Sequence, residues 1–224
     1  PAGTYKINAS LTIPPFAHLV GEGPDKTIIK NSASAPALVT EDDDGQVYGS
    51  IGNSGATTPT QIQISNMTIR TSVAYGGLSI DNATKVFVNN VKFQGTFISG
   101  GTDSANSKGV SVRSTTALPC AYIVFDQCQF TGFARLVDMS FDVTNVRFTN
   151  CDFSTAYYGA ILGETMDGST NGLTKGPRDI QFSGSSWSTI GQQAIWVKPA
   201  AGADAGTGAR NVISYGNWYA ETVA

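Results

Sequence analysis

The sequence carries little charge, a single histidine and no long apolar run, and each shortage excludes a class of function. Charged residues make up 14% of the 224 residues and the net charge is −3, so no basic stripe is present to neutralise nucleic-acid phosphates. No apolar run approaches the roughly 18 residues that span a bilayer. His18 is the only histidine, so the sequence argues against a Ser-His-Asp triad and against a metal site with several histidine ligands. We expect no nucleic-acid partner, membrane insertion, metal site or cofactor.

What the sequence has instead is an eight-residue phrase that returns six times. It reads apolar, any, apolar, two polar or small residues, a small or apolar residue, any, and a large apolar residue. Successive copies start 24, 37, 23, 34 and 32 residues apart, a spacing typical of a repeat architecture with a basic coil of about 23 residues. The copies are residues 62–69, 86–93, 123–130, 146–153, 180–187 and a weaker one at 212–219.

Alternation within the phrase indicates how each coil is built. The apolar positions alternate with a period of two, break at a two-residue step and resume, which predicts two short strands joined by a bend. A further short apolar strand follows each of the first five copies, as at residues 78–80 and 110–112. Coils of strand, bend, strand, turn and strand stack into a parallel β-helix. The predicted fold class is therefore all-β.

Two aligned columns are predicted to be structural. The bend position is mostly an amide residue, which tolerates left-handed backbone geometry and can hydrogen-bond to its equivalent in the next coil. It reads Asn66, Asn90, Gln127, Asn150, Gly184 and Gly216. The closing position is large in every copy and is expected to stack inside the coil. It reads Ile69, Phe93, Phe130, Phe153, Trp187 and Tyr219.

Three cysteines are too few for a disulfide framework. Cys128 and Cys151 occupy one inward column and are expected to be free thiols packed as small hydrophobes, although the spacing of neighbouring strands also permits a disulfide. Cys120 is expected in a loop. This usage fits folding in a reducing compartment.

The N-terminal segments carry a family resemblance. Residues 1–5 (PAGTY), 11–14 (LTIP), 19–23 (LVGEG) and 27–29 (TII) resemble the opening coils of pectate-lyase-like right-handed parallel β-helices, which occur in bacteriophage tailspikes and tail fibres and in some polysaccharide-degrading enzymes. The resemblance implies one β-helix domain over 1–224, with opening coils at 1–60 and regular coils at 61–224, as a segment of a longer chain.

The same resemblance implies a function. It points to a tail protein of the virion, assembled in the host cytoplasm with other virion proteins as a homotrimer, that recognises a bacterial surface polysaccharide. Two alternatives stay open, a polysaccharide depolymerase and a purely structural fibre component. The His-Gly and Arg-x-Lys signatures of polygalacturonases and the Trp-x-Asp-His stretch of pectate lyases are absent from the sequence, so pectin chemistry is not implied.

Candidate catalytic residues follow from the need of a glycosidase for two carboxyl groups about 5 to 10 Å apart. Asp138 should face outward, because Val137 and Met139 on either side of it should face the core. Glu164 and Asp167 lie in the long loop of the next coil, so these three carboxylates are the predicted catalytic groups. The acidic run at 41–45 lacks the ligand spacing of a calcium loop and is interpreted as an exposed turn.

Binding without cleavage has its own candidates. Tyr157, Tyr158 and Trp218 are predicted to expose aromatic faces on which sugar rings can stack. Three long loops, 114–121, 163–178 and 198–210, follow the same strand of successive coils and should leave from one corner, where they would wall a groove. Outward apolar residues including Phe87, Val124 and Ile213 indicate a face that is buried against a partner.

Overall fold

The computed structural model describes residues 1–35, 37–39, 60–72, 75–114, 120–163, 176–198 and 209–222. These residues form strands and connecting turns, with no helix among them, and so none that could cross a membrane. The strands are β1 (Gly3–Ile7), β2 (Leu11–Thr12), β3 (His18–Val20), β4 (Thr27–Asn31), β5 (Leu38–Val39), β6 (Thr60–Thr71), β7 (Leu78–Asp81), β8 (Thr84–Gln94), β9 (Lys108–Arg113), β10 (Cys120–Asp126), β11 (Gln129–Ser140), β12 (Val143–Thr149), β13 (Asp152–Leu162), β14 (Arg178–Ser183), β15 (Ser186–Ile190), β16 (Ile195–Val197), β17 (Arg210–Tyr215) and β18 (Trp218–Thr222).

The strands pair in parallel into one curled sheet. The register places the phrase copies directly over one another, because the first residue of each copy pairs with the first residue of the next. This column reads Ile62, Val86, Ile123, Val146, Ile180 and Val212. The predicted parallel β-helix is confirmed.

The closing column forms a stack of aromatic rings along the core. From Phe93 to Tyr219, ring centroids in successive coils lie 4.0 to 6.2 Å apart with nearly parallel planes. A second stack of Phe125, Phe148 and Phe182 has centroid spacings of 4.7 and 4.9 Å and meets the first stack edge to face. Both geometries are favourable for aromatic pairs, so the coils are held together by interdigitated rings.

The bend column has the left-handed backbone that its amides and glycines predict. All six residues have φ between 52° and 61°, and the Asn90 Nδ2 donates to the Asn66 Oδ1 at 2.8 Å. A second left-handed column, just before each phrase, has φ between 50° and 59° and mixed side chains, so the sequence does not signal it. It comprises Gln61, Lys85, Tyr122, Asn145, Asp179 and Asn211.

All three cysteines are free and buried. Cys128 and Cys151 lie in the core as expected, and the contact with Cys128 and burial both raise the pKa of the Cys151 thiol. The expectation for Cys120 is wrong, because it begins β10 and is 0% exposed. Its position after a Leu-Pro pair resembles a loop, but the coil resumes at that residue.

The third strand of each coil, formed by β7, β9, the end of β11, the end of β13 and β16, positions the candidate site. Residues that face away from the core on these strands share one column. Ser79, Ser111, Asp138 and Ile161 of this column are no more than 6% exposed. The outward side of this face is thus buried as well, which alternation alone does not predict.

Candidate functional site

Asp138 is one of four charged side chains that we call the ion-pair cluster: Asp103, Lys108, Arg135 and Asp138. It faces outward as predicted, since Val137 and Met139 belong to the core, but it is only 1% exposed. Its Oδ2 accepts from the Lys108 Nζ at 2.8 Å and from an Arg135 Nη at 3.2 Å. Ion pairing therefore balances the buried charge of Asp138.

Arg135 joins Asp138 to a second carboxylate. Its Nε and the other Nη donate to both oxygens of Asp103, at 2.9 and 2.6 Å. Arg135 can bridge the coils because its register partners are Lys108 in the coil before and Tyr158 in the coil after. The guanidinium thus holds two carboxylates on one surface of the β-helix.

Electrostatics favour a binding role for Asp103. The hydrogen bonds from Arg135 hold the pKa of Asp103 below its ordinary value, partly opposed by burial of the carboxyl group. A general acid of a glycosidase needs the opposite shift, a raised pKa. The Asp103 side chain keeps 30% of its surface exposed, so a charged hydrogen-bond acceptor is accessible beside Arg135.

Three aromatic side chains lie beside the cluster and form what we call the aromatic row: Tyr157, Tyr158 and Trp196. The Tyr157 and Tyr158 rings meet edge to face at 4.8 Å, and the Tyr158 and Trp196 centroids are also 4.8 Å apart. The Lys198 Nζ lies 4.3 Å from the Trp196 ring centroid, within cation–π range. All three aromatic residues are half-buried, so three aromatic residues in mutual contact reach the surface together.

A pocket of about 260 Å³, which we call the corner pocket, opens at the Tyr157 end of the row. One wall is the turn at 97–101, where the Phe97 N donates to the Gly132 O at 2.6 Å. The other wall is the turn after β15, where the Gly191 N donates to the Ala156 O at 2.9 Å. The pocket therefore joins the insertion after β8 to two later coils, those of β13 and β15, and shares Tyr157 with the row.

The structure brings some of the predicted site residues together. Tyr157 and Tyr158 are consecutive residues of β13, and both are half-buried. Trp218 is 70% exposed but lies on another face, since its coil column runs through Ser186 and Asp152. Glu164 and Asp167 lie outside the described residues, as do the acidic run at 41–45 and most of the three long loops.

Sequence reasoning missed Trp196, Asp103 and Arg135. Trp196 could have been found, because strand register places it in the outward column of Asp138 and Ile161. Asp103 comes from an insertion whose path no periodicity describes. The described part of the chain holds no cluster of three or more acidic, histidine or cysteine side chains that could bind a metal ion.

Comparison with known proteins identifies the fold. No family model and no curated protein sequence matches the chain. Among solved structures, the N-terminal fragment of bacteriophage phi29 gene product 12 matches with a TM-score of 0.71 and 17% identity over 100% of this chain and 36% of that one. The chain has the parallel β-helix fold.

Two further structures show how widely this fold is used. The tailspike protein gp49 of Acinetobacter baumannii bacteriophage Fri1, a capsular polysaccharide depolymerase, matches with a TM-score of 0.53 and 12% identity over 87% of this chain and 32% of that one. The pectin methylesterase PemA of Erwinia chrysanthemi has a TM-score of 0.50 and 12% identity over 100% of this chain and 80% of that one. This β-helix spans about a third of the length of the two phage proteins.

Proposed function

We propose that this β-helix is part of a phage tail protein and binds a bacterial surface polysaccharide along the aromatic row. The observation that carries the proposal is the contact of Tyr157, Tyr158 and Trp196 in one surface beside a charged cluster. Saccharide rings have apolar faces that pack on aromatic rings, and their hydroxyl groups need polar partners at the edges. The row and Asp103 supply both.

The position of the row suits a long polymer. Tyr157 and Tyr158 belong to β13 and Trp196 to β16, which pairs with β13 in the next coil, so the contact of Tyr158 with Trp196 extends the row from one coil to the next. A chain of sugars lying across the coils would meet Trp196, Tyr158 and Tyr157 in turn. Support for a phage tail protein comes from the shared fold with two phage proteins, one of which is a tailspike.

Homotrimer formation, partners in the virion and assembly in the host cytoplasm belong to the same proposal. Phe87 and Ile213 face outward and are 48% and 53% exposed, in one column that also holds Val124, Arg147 and Gln181. Apolar side chains at such exposure support burial against a further copy of the chain. Sedimentation of the full chain tests this part, and a monomer at all concentrations would contradict it.

Polysaccharide cleavage is a second candidate function. It is favoured by the two carboxylates, Asp103 and Asp138, that contact one guanidinium. Against it stand the ion pairs of Asp138 and the lowered pKa of Asp103, since one of a glycosidase pair must hold a proton. Cleavage predicts new reducing ends or unsaturated uronates when the chain is incubated with the polysaccharide it binds.

The experiment that tests binding compares two tryptophan variants. The unaltered chain is titrated against immobilised capsular polysaccharides and lipopolysaccharides, and the strongest binder is then used for Trp196→Ala and Trp218→Ala. Removing one stacking ring from the row should weaken binding about tenfold, equivalent to roughly 1.4 kcal/mol. Trp218→Ala is the matched control and should bind as the unaltered chain does.

Two results would count against the proposed function. The first is the absence of binding to every polysaccharide in a panel that includes the host's own. The second is binding that Trp218→Ala weakens and Trp196→Ala does not, which would move the site to the last coil.

A further inference from the structure

We infer that the corner pocket binds a single uncharged sugar residue of the polysaccharide, as a terminal or branching unit beside the main chain. This inference rests on the proposed function and names the chemistry of one subsite within it. The pocket lies at the Tyr157 end of the aromatic row, so a polymer on the row would bring a side branch to its mouth.

The lining chemistry selects a neutral sugar. Phe97 and Tyr157 supply aromatic surface, and Ser99, Thr189 and Gln192 supply hydroxyl and amide groups that donate and accept hydrogen bonds. The other lining residues are alanine and glycine, so none of the nine described residues around the pocket is charged. A uronate or sialate carboxylate would lose hydration there without gaining an ionic partner. The hydroxyl groups of a neutral sugar would find partners.

The size of the pocket limits what it holds. Its volume of about 260 Å³ is below the roughly 300 to 1,000 Å³ of pockets that bury a drug-sized ligand. A single pyranose ring is consistent with that space, whereas a longer saccharide is not. The rest of the polymer must then lie outside the pocket, which is where the aromatic row is.

The pocket walls are held in place before any ligand arrives. Backbone hydrogen bonds fix the 97–101 turn, including one from the Gly101 N to the Ile98 O at 3.1 Å. A Cβ on Gly101 would lie 2.7 Å from the Phe97 ring, so glycine at this position is what lets the ring form the wall. Binding to such a site avoids most of the entropy cost of ordering side chains and loops.

Backbone strain occurs at one of the lining residues. Thr189 has φ 55°, which is uncommon and costly for a β-branched residue. Thr155 has the same φ and lies one coil earlier at the equivalent position, because Ser154 and Ser188 are register partners. Thr155 does not line the pocket. The two threonines therefore form a matched pair for separating a backbone effect from a ligand contact.

The variants follow from this geometry. Thr189→Val keeps the branched shape and removes the hydroxyl group, and Thr155→Val is its control. Gly191→Ala adds a methyl group at the pocket wall, with its nearest neighbour the Ala156 O at 3.5 Å, so it needs no shift of the backbone. All three variants should keep the melting temperature of the unaltered chain to within a few degrees.

The expected results concern both the polymer and single sugars. Thr189→Val should weaken polysaccharide binding roughly three- to tenfold, the loss of about one neutral hydrogen bond, and Thr155→Val should not. Gly191→Ala should weaken binding by a similar factor, because its methyl group takes up space at the pocket wall. In saturation-transfer difference NMR on the full chain, methyl glycosides of glucose, galactose and rhamnose should receive saturation that Gly191→Ala reduces. Glucuronate and galacturonate should receive none.

The results that would overturn the inference differ from those that would overturn the proposed function. Polysaccharide binding that Trp196→Ala weakens but Thr189→Val and Gly191→Ala leave unchanged overturns the pocket assignment alone. Equal saturation of uronates and neutral glycosides overturns its selectivity. A chain that binds no surface polysaccharide contradicts the proposed function, and saturation of the methyl glycosides then still decides whether the pocket binds a sugar.

Discussion

Replacing Asp138 by asparagine should destabilise the β-helix strongly, because the residue balances buried positive charge. The change keeps the shape of the side chain and removes its charge. The Lys108 and Arg135 side chains are only 6% and 9% exposed, and both would lose their contact with the Asp138 carboxylate. Removing one partner of a buried ion pair costs about 3 to 5 kcal/mol in a medium of low dielectric constant. Lys108 should account for most of that loss, because Arg135 keeps its hydrogen bonds to Asp103.

The effect is large enough to measure by thermal and urea unfolding of the full chain. For a protein of this size, each kcal/mol lowers the melting temperature by about 2 to 4 °C, so the Asp138→Asn variant should melt about 10 °C below the unaltered chain. Asp103→Asn is the matched control. It removes the more exposed carboxylate from the same guanidinium and should cost about 1 kcal/mol or less.

Two outcomes would refute this reasoning. If Asp138→Asn unfolds within about 0.5 kcal/mol of the unaltered chain, the size of an ordinary surface substitution, the ion pairs do not stabilise the fold. If Asp103→Asn lowers the free energy of unfolding more than Asp138→Asn does, the more exposed carboxylate balances the buried positive charge. A stable Asp138→Asn protein that loses polysaccharide cleavage would instead favour the predicted catalytic role of Asp138.

Three further predictions concern the core, the bend and the pH dependence of stability. Phe130→Ala should cost about 3 to 5 kcal/mol in urea unfolding, because the ring is 0% exposed and stacks at 5.0 Å on a ring on either side. Asn90→Ala should be less stable than Asn90→Gly by about 1 kcal/mol, since both lose the hydrogen bond to Asn66 but only alanine is strained at φ 52°. Stability should fall as the pH drops below about 4. Arg135 lowers the folded-state pKa of Asp103, so the ionised carboxylate stabilises the fold above the unfolded-state pKa, and that stabilisation is lost as the carboxylate is protonated.

Each of these predictions has a clear contrary result. A Phe130→Ala loss below about 1 kcal/mol would mean that the ring stack does not hold adjacent coils together. Equal stability of the two Asn90 variants would show that backbone conformation at the bend is unimportant. An acid transition that is the same in the Asp103→Asn variant would assign the pH dependence to other carboxylates.

The sequence by itself determined the β-helix, because the information that specifies each coil is local and repeated. Alternation with period two decides which side chains face the core, and parallel stacking brings equivalent positions of successive coils together. The aligned columns therefore predicted the ring stack from Phe93 to Tyr219 and the hydrogen bond between Asn66 and Asn90. The proximity of Tyr157 to Tyr158 likewise needs only their adjacency in the chain.

Only the tertiary structure decided which of these residues form a candidate site. Asp138 is buried by packing that alternation does not describe. Arg135 binds Asp103, and Trp196 contacts Tyr158, through contacts between different coils. The corner pocket likewise depends on turns about 90 residues apart in the chain. Such contacts arise at corners and insertions, where the path of the backbone is set by packing against other coils. Repetition of the phrase carries no information about that path.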